Sequence, residues 1–206
     1  VPDANWIDTV HHGLPVDLRN PVEAKRDYLA FIGRIAPEKR VDRAIRIAQM
    51  SGMKLKIAAK VDAADRDYYE EEIKPLLDAA HVEFIGEISD AQKSEFLGGA
   101  AGLLVPIDWP EPFGLVMIEA MACGTPVIAF NRGSVPEIVD DGVTGFVVED
   151  ETSAAAKVRD LGTLSREKVR RNFEERFTSR TMARNYLNVY DRLVNKQKMR
   201  PHLVSA

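Results

Sequence analysis

The chain has 206 residues, 45% of them hydrophobic and 29% charged, a soluble globular balance with room for one large domain or two small ones. A net charge of −4 argues against wholesale nucleic-acid binding, and no apolar run approaches the roughly eighteen residues of a membrane span. The single cysteine, Cys123, rules out an internal disulfide and fits a reducing, cytoplasmic compartment.

Residues 1–27 carry Pro, Asp, Asn and His without clear periodicity and read as an arm or linker from a missing N-terminal domain. His11-His12-Gly13 lacks the spacing of a helical metal pair and has no cysteine beside it, so a structural turn is expected and no metal ligand is assigned. Residues 28–32 (YLAFI) form a continuous apolar run ending on Gly33, as a buried parallel strand does. After Arg34-Ile35-Ala36-Pro37-Glu38-Lys39, a helix follows with Val41, Ala44, Ile45 and Ala48 on one face. Arg34 and Lys39 thus lie between a strand end and a helix N-terminus, where the macrodipole disfavours cations and welcomes anions. Together they read as a clamp for a phosphate group, with solvated loop charges as the alternative; Arg40 is expected to be solvated.

Residues 55–59 are the second expected strand, followed by a helix over residues 65–80 that Pro75 could break. Residues 82–85 are the third, ending on Gly86, and Ser89-Asp90 cap a helix carrying Phe96 and Leu97. Residues 103–105, 127–130 and 146–148 are the remaining strands, with Asp140-Asp141-Gly142 a turn before the last. Helices are expected over residues 152–161 and 165–177. A longer one follows, with Met182, Tyr186, Val189 and Leu193 as an apolar stripe and Lys196, Lys198 and Arg200 at its basic end.

Residues 111–129 (EPFGLVMIEAMACGTPVIA) are the most distinctive stretch. Glu111 and Glu119 stand eight positions apart in a run that is otherwise apolar or small. Pro110 and Pro112 keep the chain extended, leaving Glu111 in a loop before a helix opened at Gly114. Glu119 falls about one turn inside. A carboxylate buried there without donors costs several kcal/mol, so either a hydroxyl-rich ligand supplies them, or Glu119 points to water or pairs with a buried Arg. Cys123, among small apolar neighbours, reads as a core thiol. Trp109 covers a cleft or packs on the loop prolines.

Strand and helix alternating at roughly 20–27 residues call for right-handed βαβ units and a Rossmann-like α/β fold with a parallel six-stranded sheet flanked by helices. The usual order, 3-2-1-4-5-6, sets strands one and four side by side at the topological switch point, so the loops after both open on one crevice. A cationic clamp would there face carboxylates suited to hydroxyls, which a phosphorylated sugar compound satisfies.

Four blocks in order carry a family resemblance: residues 31–39 (FIGRIAPEK), 82–88 (VEFIGEI), 111–129, and 133–148 (GSVPEIVDDGVTGFVV). With them the chain resembles the C-terminal, donor-binding domain of retaining GT-B glycosyltransferases of the family 4 type, glycosyl transferases group 1. The resemblance implies a hexosyltransferase using a UDP-, GDP- or ADP-linked sugar as substrate, without cofactor or metal. Arg34 and Lys39 would hold the donor diphosphate and stabilise charge on the leaving nucleotide, and Glu111 would take hydroxyls of the transferred sugar. Gly33 and the backbone of Phe113, Gly114, Leu115 and Val116 would meet sugar or phosphate oxygens, Glu119 the ribose, and Gly86, Glu87 and Ile88 the base. Residues 28–178 would form the donor domain and 179–206 a C-terminal helix and tail. The acceptor domain lies outside this chain, so the isolated domain is expected to bind donor without turning over an acceptor, and the full-length protein could touch a membrane surface. Where many relatives carry a Gly-x-Gly turn after the second strand, this chain has Ala58-Ala59-Lys60-Val61-Asp62, which leaves the base open. A non-catalytic nucleotide-sugar sensor would use the same crevice; a nicotinamide-dependent oxidoreductase would need a G-x-G-x-x-G after the first strand, and none is present.

Overall fold

The computed structural model describes residues 6–198, with side chains as far as Asn195. Six parallel strands form one sheet in the order β3-β2-β1-β4-β5-β6, as the alternation of elements predicts. The strands are β1 (Tyr28–Arg34), β2 (Lys54–Lys60), β3 (Val82–Gly86), β4 (Gly102–Val105), β5 (Val127–Phe130) and β6 (Gly145–Val148). The central strands are continuous apolar runs because helices cover both faces. Leu29, Phe31, Leu55, Ile57, Leu104 and Ile128 pack under α1 (Val41–Ser51) and α6 (Glu151–Val158). Their alternates Ala30, Ala58, Leu103, Val105, Val127 and Ala129 face α3 (Lys93–Gly98), α4 (Leu115–Ala122), α5 (Val135–Ile138) and α7 (Arg166–Arg176). Edge strand β3 alternates between half-buried and exposed positions instead.

The helix expected over residues 65–80 is shorter and irregular. Regular α2 covers only Arg66–Tyr68, then widens into a π turn over Tyr69–Ile73 and tightens to a 3-10 turn over Lys74–Leu76. Pro75 has no N–H to give to the preceding turn, so the α ladder cannot pass it. Ser89 does cap the next helical segment, in a reciprocal capping box with Gln92. The helix expected over residues 152–161 stops at Val158, and the short α5 was not expected; elsewhere the elements differ by a residue or two at their ends.

Strands β1 and β4 pair only at Leu29–Gly102 and Ala30–Leu103. Beyond those positions they part, although β1 continues to Arg34 beside β2. The divergence opens a crevice at the carboxyl ends of the two strands, where the chain order reverses.

The N-terminal stretch lies on this domain. Leu14 exchanges backbone hydrogen bonds of 2.9 and 2.8 Å with Phe177 and Ser179, where α7 passes into α8 (Ser179–Lys198). Arg170 of α7 donates to the carbonyls of Val16, Arg19 and Ala122, tying the arm to the end of α4. The stripe on α8 is half-buried at Met182 and Val189 and exposed at Tyr186 and Leu193. Arg200 and the side chains of Lys196 and Lys198 lie outside the described residues. Among the described residues no helix is long and apolar enough to cross a membrane.

Gly13 is what lets the arm approach: a Cβ there would stand 2.3 Å from the Thr178 carbonyl oxygen. Gly13→Ala should therefore cost about 1–3 kcal/mol, roughly 3–10 °C in melting temperature for a domain of this size, and speed proteolysis before residue 28. An unchanged melting curve and cleavage rate would show that the arm contributes nothing to the fold.

Candidate functional site

The crevice is a cleft of 470 Å³ lined by the ends of β1 and β4 and by the loops that follow them. Eight of the expected site residues meet there: Gly33, Arg34, Lys39, Glu111, Phe113, Gly114, Leu115 and Val116. Its floor is apolar, with Phe31, Ile32, Leu104, Val105 and Ile107, and a side chain added at Gly33 would meet nothing within 4 Å. A ligand can thus lie directly on the β1 backbone.

The β4 loop is held from behind. Ser134 donates its N–H to the Glu111 carbonyl at 2.9 Å and its hydroxyl to the Phe113 carbonyl at 2.9 Å. Gly133, at φ 55°, comes so near that a Cβ would lie 2.4 Å from both the N and O of Glu111. Gly114 then turns the chain into α4 with φ 78°, ψ 63°, and no side chain caps that helix. Leu115 and Val116 line the cleft, and their amides have no acceptor among the described residues; a helix N-terminus of this kind favours an anion.

Glu111 is fixed through one oxygen. Its Oε2 accepts from Lys39 Nζ at 2.6 Å and from Trp109 Nε1 at 3.0 Å, while Oε1 has no partner among the described residues. Trp109 therefore does more than pack on prolines: its ring also lies 5.0 Å from Lys39 Nζ. Lys39 keeps further N–H donors for a ligand. Arg34, half-exposed, bonds Glu38 at 3.0 Å and lies 3.7 and 3.6 Å from Asp62 and Asp65. Asp62 belongs to the stretch that departs from the Gly-x-Gly pattern, and the adjacent Lys60 ammonium holds its carboxyl below the usual range.

Arg40 is not the solvated charge expected. It adopts the left-handed conformation, φ 53°, and pairs with Asp42 at 2.8 Å and with Asp108 of the β4 loop at 2.9 Å. Burial alone would raise the Asp42 carboxyl, but hydrogen bonds from Arg40 and Arg46 outweigh it and bring it to about 2. Asp108 also donates its N–H to the Glu38 carbonyl, so the loops flanking the cleft are stitched together outside it.

Glu119, Gly86, Glu87 and Ile88 do not line this cleft. Glu119 lies one turn along α4 from Val116, and its Oε1 accepts from Arg19 Nη2 at 3.0 Å and Lys93 Nζ at 2.9 Å. Pairing with a buried arginine is thus realised, and Oε2 is left without a partner among the described residues. Lys93 and Asp90, close behind the Gly86–Ile88 loop in sequence, complete this second patch. Arg19, Lys93, Gly133, Ser134 and His12, which lines the cleft edge-on to Phe113 at 5.0 Å, had no role from the sequence. The turn expected at His11-His12-Gly13 is not formed: the stretch runs without a turn into the Leu14 bridge, and His11 pairs with Glu137 at 3.0 Å. Cys123 is buried, which pushes its thiol up to about 11, and Asp140 takes Asn172 and Arg176 as partners. Among the described residues no group of three or more His, Cys, Asp or Glu side chains could hold a metal ion.

The family model of glycosyl transferases group 1 matches residues 18–180. D-inositol 3-phosphate glycosyltransferase of Mycolicibacterium paratuberculosis is 34% identical over 161 residues, 71% of this chain and 36% of that protein; the chain therefore spans about a third of the length of the curated relatives it matches. AviGT4, a glycosyltransferase involved in avilamycin A biosynthesis, superposes with a TM-score of 0.80 at 25% identity, covering 93% of this chain and 59% of that one. HepE of Anabaena, solved in complex with UDP, shares the fold with a TM-score of 0.74 at 20% identity, over 87% of this chain and 56% of its own.

The close approach at Gly133 has a built-in control in Gly142, also at positive φ (73°) but with nothing within 4 Å of a Cβ. Gly142→Ala should cost only the left-handed backbone, about 1–2 kcal/mol. Gly133→Ala should cost that and a further 1–3 kcal/mol or so from displacing the Glu111 backbone. Equal melting temperatures for the two variants would show that the Glu111 loop yields freely.

Proposed function

This chain belongs to the glycosyl transferases group 1, and from that premise we propose that it is the donor-binding domain of a retaining, family 4 type glycosyltransferase that transfers a hexose from a nucleoside-diphosphate sugar. The observation that carries the reading is the half-occupied carboxylate of Glu111 in a cleft that also holds Arg34, Lys39 and the residues opening α4, with a second half-occupied carboxylate, Glu119, one turn further along that helix. A diphosphate suits the cations and the helix N-terminus; sugar and ribose hydroxyls suit the two unoccupied carboxylate oxygens.

In this reading the donor diphosphate lies between Lys39, Arg34 and the Leu115 and Val116 amides, with the transferred sugar at Glu111 and the ribose at Glu119. The base rests near Gly86, Glu87 and Ile88. As the bond from the anomeric carbon to the phosphate oxygen breaks, negative charge grows on the leaving diphosphate. Fixed donors aimed at that charge lower the barrier without reorganising. Lys39 and Arg34 supply the counter-charge that other transferases draw from a metal ion, so donor binding is metal-independent. Glu111 keeps Lys39 in place while its free Oε1 orients the sugar. The acceptor, brought by a further domain, meets the sugar across the open face of the cleft. The isolated domain accordingly binds donor and does not transfer, and we place the protein in the cytoplasm.

A thermal-shift titration with EDTA present tests this against UDP, GDP, ADP, their sugar conjugates and NAD. A ligand at one hundred times its dissociation constant stabilises by about 2.7 kcal/mol, a shift of several degrees, and one nucleoside diphosphate should stand out. Arg34→Ala and Lys39→Ala should weaken that diphosphate at least ten-fold or so while changing nucleoside binding little. A shift with NAD alone, or none with any diphosphate, would sink the proposal.

A further inference from the structure

Arg19 places a guanidinium inside the domain, its side chain 3% exposed, on the arm that precedes the sheet. Its Nη2 donates to Glu119 Oε1 at 3.0 Å and to Asp90 Oδ1, and its Nη1 donates to Asp90 Oδ2 at 3.1 Å and to the Leu18 carbonyl at 2.9 Å. Its Nε has no partner among the described residues. Its own carbonyl accepts from Arg170 at 2.7 Å, which fixes the backbone that carries it. Stability alone does not account for this residue. A buried charge with an unmet N–H is costly, and an apolar side chain of similar volume packs as well or better in most such places.

What the arrangement achieves is orientation. Arg19 and Lys93 together occupy Glu119 Oε1, fixing the plane of the carboxylate and leaving Oε2 as its one acceptor without a partner among the described residues. The same guanidinium grips Asp90, at the start of the helical segment that follows Gly86, Glu87 and Ile88. One side chain thereby sets the distance between the Glu119 carboxylate and the loop after β3. Lys93 alone cannot do this, since its single Nζ reaches Glu119 at 2.9 Å but stands 3.7 Å from Asp90.

We propose that Arg19 is a positioning residue for the nucleoside: it aims Glu119 Oε2 at the ribose diol and holds the base loop at matching distance. The inference rests on the reading of Glu119 as the ribose acceptor. Specificity for the ribose hydroxyls is then set from the arm, outside the four motif blocks.

Calorimetric titration of the 206-residue chain with UDP, GDP and ADP, each against its 2′,3′-dideoxy analogue, tests this. The wild type should prefer the ribose form, and Glu119→Gln should abolish the preference. Arg19→Met should weaken the ribose form roughly ten-fold and leave the dideoxy analogue unchanged, so that the preference collapses without general loss of binding. Arg19→Lys should recover part of it. A wild type without preference, or a Glu119→Gln chain that keeps it, overturns the ribose reading and this inference with it. A preference that Glu119→Gln abolishes but Arg19→Met retains, or equal weakening of both ligands by Arg19→Met, overturns the role of Arg19 alone. If Arg19→Met does not fold, Asp90→Ala, at an exposed carboxylate, decides: a reduced preference supports the proposal and an unchanged one overturns it.

Discussion

Glu111 in the cleft and Glu119 one turn along α4 are each held by one carboxylate oxygen, with the other unpartnered among the described residues, and the proposed recognition depends on that division. Glu111 gives Oε2 to Lys39 and Trp109, and Glu119 gives Oε1 to Arg19 and Lys93. A carboxylate with both oxygens bonded inside the protein is a structural post; with neither, it is a mobile surface charge. With one of each it is oriented and still able to accept, as recognition of hydroxyl groups requires. The desolvation cost of placing both carboxylates at 12% exposure is offset by charge-assisted bonds on the occupied side.

The sheet brings these groups together by separating two strands. After two paired positions β1 and β4 diverge, and everything that follows either strand must turn around the gap. The loop carrying Arg34 and Lys39 and the loop carrying Glu111 become its walls. They are joined outside the gap by Arg40, Arg43 and Asp108 and backed by Gly133 and Ser134. The walls are thus tied to each other and to the domain by contacts that need no ligand, which reduces the ordering left to binding.

The sheet was readable because its buried parallel strands are short apolar runs at regular spacing, two of them meeting a glycine at Gly33 and Gly86, and α1 because its stripe repeats at helical spacing. The motif residues were readable because a carboxylate in an apolar run, or paired cations at a helix start, stands out locally. What escaped was set by distant partners. Arg19 meets Asp90 and Glu119 from 71 and 100 positions away, and Arg40 meets Asp108 from 68. Nothing in the local pattern around either arginine encodes those meetings. Gly133 was visible inside a motif block, yet its function, to let another backbone approach, exists only in three dimensions. The break at Pro75 was legible, while the π turn before it, which ends on the buried Ile73, was not.

The cations of the cleft are already neutralised by the protein. Arg34 faces Glu38, Asp62 and Asp65, and Lys39 faces Glu111, in a chain of net charge −4. An anionic ligand must therefore share or displace these carboxylates at short range, rather than meet the bare cations of a basic funnel. Discrimination then falls at contact, where the hydroxyls count as much as the charge.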